Sequence, residues 1–341
     1  MAERPRFHPT PTGDGLPGFD PRYADLVDYV VTITERIWER SDLGHIHDTY
    51  APDVVVHTGL GTDRGVDGVV AGSLHTLATF PDRRMAAEDV IATGDAERGF
   101  RSGHLIANTA THDGPGRFGP PTGRSVRFFA IAECVASENH IYEEWLVRDT
   151  RAIAEQLGLD PHVLAAQAHV PAGFAPTPPG AAHASDLVVD GAGADHPAVR
   201  TALRLLRDAV NGRHLDRIAE LYDDATVTWV PGHAELHGAD PFRRYLLTLL
   251  APFPDAYLDA QRVDVNERDG LARVAVRWYL RGTHRLEGRF GPPTGRPIDA
   301  LGISHVHVHE GRVVRHYFVL DELALLTTLH GATRAEEEES P

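Results

Sequence analysis

A chain of 341 residues has room for two domains of ordinary size, each able to bury its own core. Its 42% hydrophobic and 24% charged content is that of a folded soluble protein, and a formal net charge of −16 without a Lys/Arg-rich run argues against a nucleic-acid or anionic-membrane partner. The single cysteine, Cys134, excludes an intrachain disulfide and fits a reducing, cytoplasmic setting; no apolar run reads as a signal peptide or a membrane span.

Residues 1–21, rich in Pro and Gly, read as a flexible N-terminal arm. Over 23–40, Leu26, Val30, Ile33 and Ile37 recur at three- and four-residue steps with Trp38 beside them, which predicts a helix. A short helix over 46–50 is stopped by Pro52, and Val54, Val55 and Val56 form a strand closing on His57. Residues 66–80 predict another helix, ended by Pro81. Strands follow over 84–93, 100–111, 125–137 and 141–149, the last two joined by the turn Glu138-Asn139, and a short helix over 150–157 ends at Gly158. Residues 166–196 are an Ala/Pro/Gly linker around Pro178-Pro179-Gly180, and 333–341 are an acidic tail.

The second half repeats the first. The octapeptide Arg-Phe-Gly-Pro-Pro-Thr-Gly-Arg at 117–124 returns unchanged at 289–296, and Leu215, Ile218 and Tyr222 stand 172 positions after Leu43, Ile46 and Tyr50. Offsets held this closely along the chain indicate duplication of a whole domain, bounded at 22–165 and 197–332. Helices first and a run of strands after predict an α+β fold, with helices against one face of a curved, mostly antiparallel sheet.

Thr111-His112-Asp113-Gly114, the loop from Phe118 to Arg124, the stretch Ile141-Tyr142-Glu143-Glu144-Trp145 with Asp149, and Gln156-Leu157-Gly158 together resemble the signature of SnoaL-like polyketide cyclases, of the ketosteroid-isomerase-like (cystatin-like α+β) superfamily. The resemblance covers most of 22–160 and, more loosely, 197–330. It implies two tandem cone-shaped domains, each a curved sheet and N-terminal helices enclosing an apolar pocket. It implies acid/base chemistry on a carbonyl or polyketide-like molecule of secondary metabolism, without metal or redox cofactor. It also implies domains that pair sheet to sheet, as an intramolecular pseudo-dimer or a homodimer. The fold hosts several chemistries, so hydrolysis or epoxide opening by water addition, and a non-catalytic small-molecule-binding module, stand as alternatives.

His112 and His284 match the family histidine ahead of the Pro-Pro-Thr-Gly loop, where it would hold a carbonyl oxygen; the alternative is a loop-satisfying role. The second copy, Thr283-His284-Arg285-Leu286, lacks the early glycine, which puts its loop geometry in question. The family's carboxylate lies on the strand after Thr-Gly-Arg; the first copy has none there, and the second offers Asp299. Strand alternation sets Glu133 beside Phe129 and Ile131, where lost solvation would raise its pKa, and answers it with His305 in the second copy. Glu143 is a further acid/base candidate. His57, Phe118 and Trp145, and Trp229, Phe290, Arg315 and Tyr317 in the second copy, are candidate substrate contacts. His305, His307 and His309 alternate on one strand as a metal site could, but no Cys or Glu ligand pattern accompanies them, so no metal is expected. The copies differ at polar positions (Glu133 against His305, Glu143 against Arg315, His57 against Trp229), which predicts that they are not equivalent.

Overall fold

The computed structural model describes residues 15–172, 174–177, 191 and 193–332. The first part of the expected arm, the Pro178-Pro179-Gly180 centre of the linker and the acidic tail lie outside the described residues. The described residues form two compact units: 15–58 with 62–159, and 160–332 with 59–61.

The first unit opens with α1 (Leu26–Thr34), started by the Asp25 side chain, which accepts from the Asp28 amide at 2.8 Å. A π-helical turn over Glu35–Glu39 continues it, followed by α2 (His45–Thr49). Strands β1 (Tyr50–Thr58) and β2 (Gly61–Arg64) lead to α3 (Val66–Thr79). Then come β3 (Arg84–Asp95), β4 (Gly99–Thr111), β5 (Ser125–Ser137) and β6 (His140–Arg148), and α4 (Thr150–Gln156), which Asp149 caps. The sheet order is β2-β1-β6-β5-β4-β3. Strands β1 and β6 run parallel; the β3–β4, β4–β5 and β5–β6 pairings are antiparallel. It is an open sheet, and bulges at Ala87/Asp89 and Val135/Ala136 bend it. Leu26, Tyr29, Val30, Ile33 and Ile37 bury one helical face against it. The end of the expected arm joins this core: Leu16 and Phe19 are buried, and the Phe19 ring meets Tyr29 and Phe100 edge-on at 5.0 and 5.5 Å.

The second unit adds α5 (Pro161–Gln167) and then repeats the order. Helices α6 (Pro197–Leu203), α7 (Ala209–Asn211) and α8 (Ile218–Leu221) precede β7 (Val227–Val230), β8 (Ala234–His237) and α9 (Ala239–Leu250). Strands β9 (Tyr257–Arg268), β10 (Leu271–Thr283), β11 (Pro297–His309) and β12 (Arg312–Leu320) and helix α10 (Glu322–His330) complete it. Its sheet order, β8-β7-β12-β11-β10-β9, is that of the first unit. Both β5–β6 and β11–β12 turn on two residues of positive φ, Glu138-Asn139 and Glu310-Gly311, as a two-residue hairpin of right-handed twist requires. No helix among the described residues is long and apolar enough to cross a membrane.

The repeated octapeptide is architecture. His112 is fully buried; its amide donates to the Arg124 carbonyl at 3.0 Å, its carbonyl accepts from Thr122 and Gly123, and its Nδ1 lies 3.2 Å from Thr122 Oγ1. His284 does the same with Arg296, Gly295 and Thr294. The second loop keeps this geometry without the early glycine. A Cβ at Gly114 would lie 1.8 Å from the Ala78 carbonyl oxygen. Helix α9 has 12 residues where α3 has 14, and Leu286, at the position of Gly114, is exposed.

Candidate active site

Three strands of the first unit turn alternate residues to the helices. In register across β4, β5 and β6 stand Ser102, Cys134 and Glu144, then His104, Ala132 and Leu146, then Ile106, Ala130 and Arg148. The small Ala130 and Ala132 leave space that α1 and α3 do not fill. The result is a cavity of about 180 Å³, lined from the helices by Val30, Ile33, Ile37, Trp38, Val69 and Ser73, and from the sheet by Glu144, His104, Ile106, Leu146 and Arg148.

Glu144 is the buried carboxyl of this cavity. The Tyr50 hydroxyl donates to its Oε2 at 3.1 Å, and its Oε1 carries no hydrogen bond to a described residue. Burial raises its pKa above the ordinary carboxylate range, against the smaller lowering effects of Arg148 and the Tyr50 bond. The Tyr50 phenol is pushed up too, by burial and then by Glu144. The Cys134 thiol is likewise raised by burial, which makes it an inert lining residue. The Ser73 hydroxyl, 1% exposed on α3, has no protein partner among the described residues.

The same positions in the second unit are full. Trp278 stands where Ile106 does, Phe318 where Leu146 does, Phe242 where Val69 does, and all three are buried. Trp278 stacks on Phe318 at 4.8 Å and donates from its Nε1 to Ser304 Oγ at 3.1 Å. Gly302, opposite Trp278 in register, admits the indole: a Cβ there would lie 2.2 Å from the ring. His316 takes the place of Glu144, and the Tyr222 hydroxyl lies 2.9 Å from its Nδ1, as Tyr50 lies on Glu144. Burial, and secondarily His307, lowers the His316 pKa to about 3, so the ring is neutral. Arg148 and His104 become Leu320 and Val276.

The residues singled out from sequence fall elsewhere. Glu133, in register with Trp145, and Glu143 lie on the sheet face opposite the cavity. There His57 stacks on Trp145 at 4.8 Å and meets Glu143 Oε1 through Nε2 at 3.1 Å. Trp229 and Tyr317 stack at the same place in the second unit at 4.6 Å, with the Arg315 guanidinium 5.8 Å from the indole. His305 and His307 share this outer alternation, in register with Tyr317 and Arg315. Asp299 bonds Arg281 at 2.8 Å and Thr177 Oγ1 at 2.9 Å, and Arg281 also bonds Asp259. His112 and Phe118 pack with Phe80, and His284 and Phe290 with Phe253; neither pair lines the cavity. Among the described residues, no three His, Cys, Asp or Glu side chains are grouped to hold a metal ion.

Tyr50, Ser73, Arg83, His104, Glu144 and Arg148 were not singled out from sequence. The signal that marks most of them is comparison of the copies: Ser73, Arg83, His104 and Arg148 are answered by Leu246, Ala256, Val276 and Leu320.

Both units are the same bent α+β sheet, and only the first holds this cavity among the described residues. The chain belongs to the SnoaL-like polyketide cyclase family, whose model matches residues 28–157 and again 200–329. Among solved structures, it is 25% identical to IdmH of Streptomyces antibioticus, proposed to be a polyketide cyclase, over 38% of this chain and 96% of that one, with a TM-score of 0.34. It is 26% identical to AclR of Streptomyces galilaeus, proposed to be a hydroxylase, over 38% and 82%, with a TM-score of 0.34. A protein of ketosteroid isomerase-like fold from Catenulispora acidiphila, in complex with trimethylamine, is 13% identical over 38% and 93%, with a TM-score of 0.32. No curated protein is similar enough to match the chain.

Proposed function

We propose that the first unit is an acid/base catalyst for an apolar, polyketide-like carbonyl compound, with Glu144 as the proton carrier, and that the second unit is non-catalytic. The observation that carries this is a carboxyl buried in a lined cavity, with one oxygen fixed by Tyr50 and the other without a partner among the described residues. Glu144 as carboxylate takes a proton from the carbon beside a substrate carbonyl. The enolate attacks a second carbonyl and closes a ring, and Glu144 returns the proton to the new alkoxide. A pKa raised towards neutrality suits one group to both transfers. The Tyr50 bond holds the carboxyl in one rotamer, and the positive charge of Arg148 on the same wall favours the oxyanion. In the second unit Trp278 and Phe318 occupy the substrate's place, and His316 is too weak a base to act at neutral pH.

Replacement Glu144→Gln keeps the shape and removes the proton. We expect a loss of turnover of at least about 100-fold on polyketide-like β-keto substrates, the usual worth of a positioned acid/base group, with the circular dichroism unchanged. Undiminished turnover by Glu144→Gln would overturn the assignment.

A further inference from the structure

The cavity contains a second buried ion that proton transfer does not use. Arg83 follows the Phe80-Pro81-Asp82 turn into β3 and lines the cavity at 4% exposure. Its Nε and Nη2 both donate to the Asn108 side-chain oxygen, at 3.0 and 2.8 Å. Its plane lies by the Trp38 and Phe128 rings, at 5.4 and 5.5 Å from their centroids. Among the described residues no carboxylate pairs with it, and Nη1 has no hydrogen bond to any of them. Desolvation, and secondarily Arg148, lowers its pKa to about 9. A buried guanidinium beside a second arginine is costly unless something negative joins it.

The register places this charge in the cavity. Asn108 and Phe128 pair across β4 and β5 one alternation beyond Arg148, whereas Glu144 lies four residues back along β6. From the Asn108–Phe128 pair to the level of Glu144 is six residues of strand, about 20 Å. Ala130, Ala132, Leu146 and Ile106 form an apolar wall between the two.

We propose that the cavity binds an apolar molecule bearing a free carboxylate, held by the Arg83 guanidinium at one end of the apolar wall, with the reacting carbon at its other end, at Glu144. A carboxylate supplies two planar acceptors matched to a guanidinium edge, and an apolar body fills the wall between. The reading rests on the catalytic role of Glu144 for the fate of the bound molecule, but not for its binding.

Two probes of the same shape test it: naphthoate and its neutral amide, naphthamide, with binding to the full-length protein followed by fluorescence or calorimetry. The wild-type protein should bind naphthoate at least about tenfold more tightly than naphthamide, as one charge-assisted contact provides. Arg83→Gln should remove the preference and Arg83→Lys should keep part of it. Equal affinity of wild type for acid and amide, or no binding of the acid, overturns the proposal without recourse to a variant that could fold poorly. Because turnover is not read, loss of turnover in Glu144→Gln beside equal probe affinities would sink the carboxylate proposal and leave the catalytic one standing.

Discussion

At the residue scale the deciding fact is that Glu143 and Glu144 are neighbours on one strand and point to opposite faces. The sequence supplied both carboxylates, and period-two alternation paired each with its own set. What alternation does not contain is which set faces the helices, since Phe129, Ile131 and Glu133 are as buried as Ala130, Ala132 and Cys134, or nearly so. His112 illustrates a second limit. Its place before the loop was legible, but its hydrogen bonds run to that loop's backbone and to Thr122. We therefore expect His112→Ala and His284→Ala to cost stability by similar amounts, about 1–3 kcal/mol each from lost bonds and lost packing, measured by urea unfolding. His112→Ala should keep the kcat of the folded protein within about threefold, the effect of removing a group outside the proton-transfer step. A large fall in kcat with unchanged unfolding would return His112 to the chemistry.

At the element scale the two copies of one hairpin pair diverge by a few side chains. Strands β4–β5 and β10–β11 share length and register, so the fold of both was legible from the repeat. The state of the interior was not, because it depends on pairs that meet only across the sheet: Ile106 with Ala130, Trp278 with Gly302. A large residue facing a small one conserves volume in each pair, yet the indole extends beyond its strand and the Ile side chain does not. Gly302→Ala should then be expensive, since the added methyl meets the Trp278 ring at 2.2 Å. We expect a loss of about 1–3 kcal/mol, the usual cost of overpacking. The same exchange in reverse, Ala130→Gly beside the cavity, should cost no more than about 1 kcal/mol, from backbone entropy. Thermal unfolding of the two variants gives the comparison; equal losses would mean that the second interior yields as easily as the first.

At the scale of the whole molecule the duplication places two ionisable groups at one sheet position under one tyrosine, with opposite responses to pH. Glu144 is raised by burial, so between the ordinary carboxylate range and its raised value the folded state holds a proton that the unfolded state has lost. Stability from this group is present at low pH and declines as pH rises through that window. His316 is lowered from 6.5 to about 3, so over that interval the unfolded state binds the proton and the folded state does not. Stability from this group is present above pH 6.5 and falls on acidification until the ring protonates. Two substitutions separate the signs. His316→Leu leaves the Tyr222 hydroxyl its partner Thr228, at 3.0 Å, and should flatten the acid limb of the stability curve. Glu144→Gln should instead raise stability above the ordinary carboxylate range and leave the limb set by His316 in place, a gain paired with the loss of turnover. Urea midpoints followed from pH 4 to pH 8 should therefore show the two variants departing from wild type at opposite ends of the range, His316→Leu towards acid and Glu144→Gln towards alkali. Parallel curves would mean that neither group is held in its unfavoured state by the fold, and with that the physical basis for a reactive first copy and a filled second one would be lost.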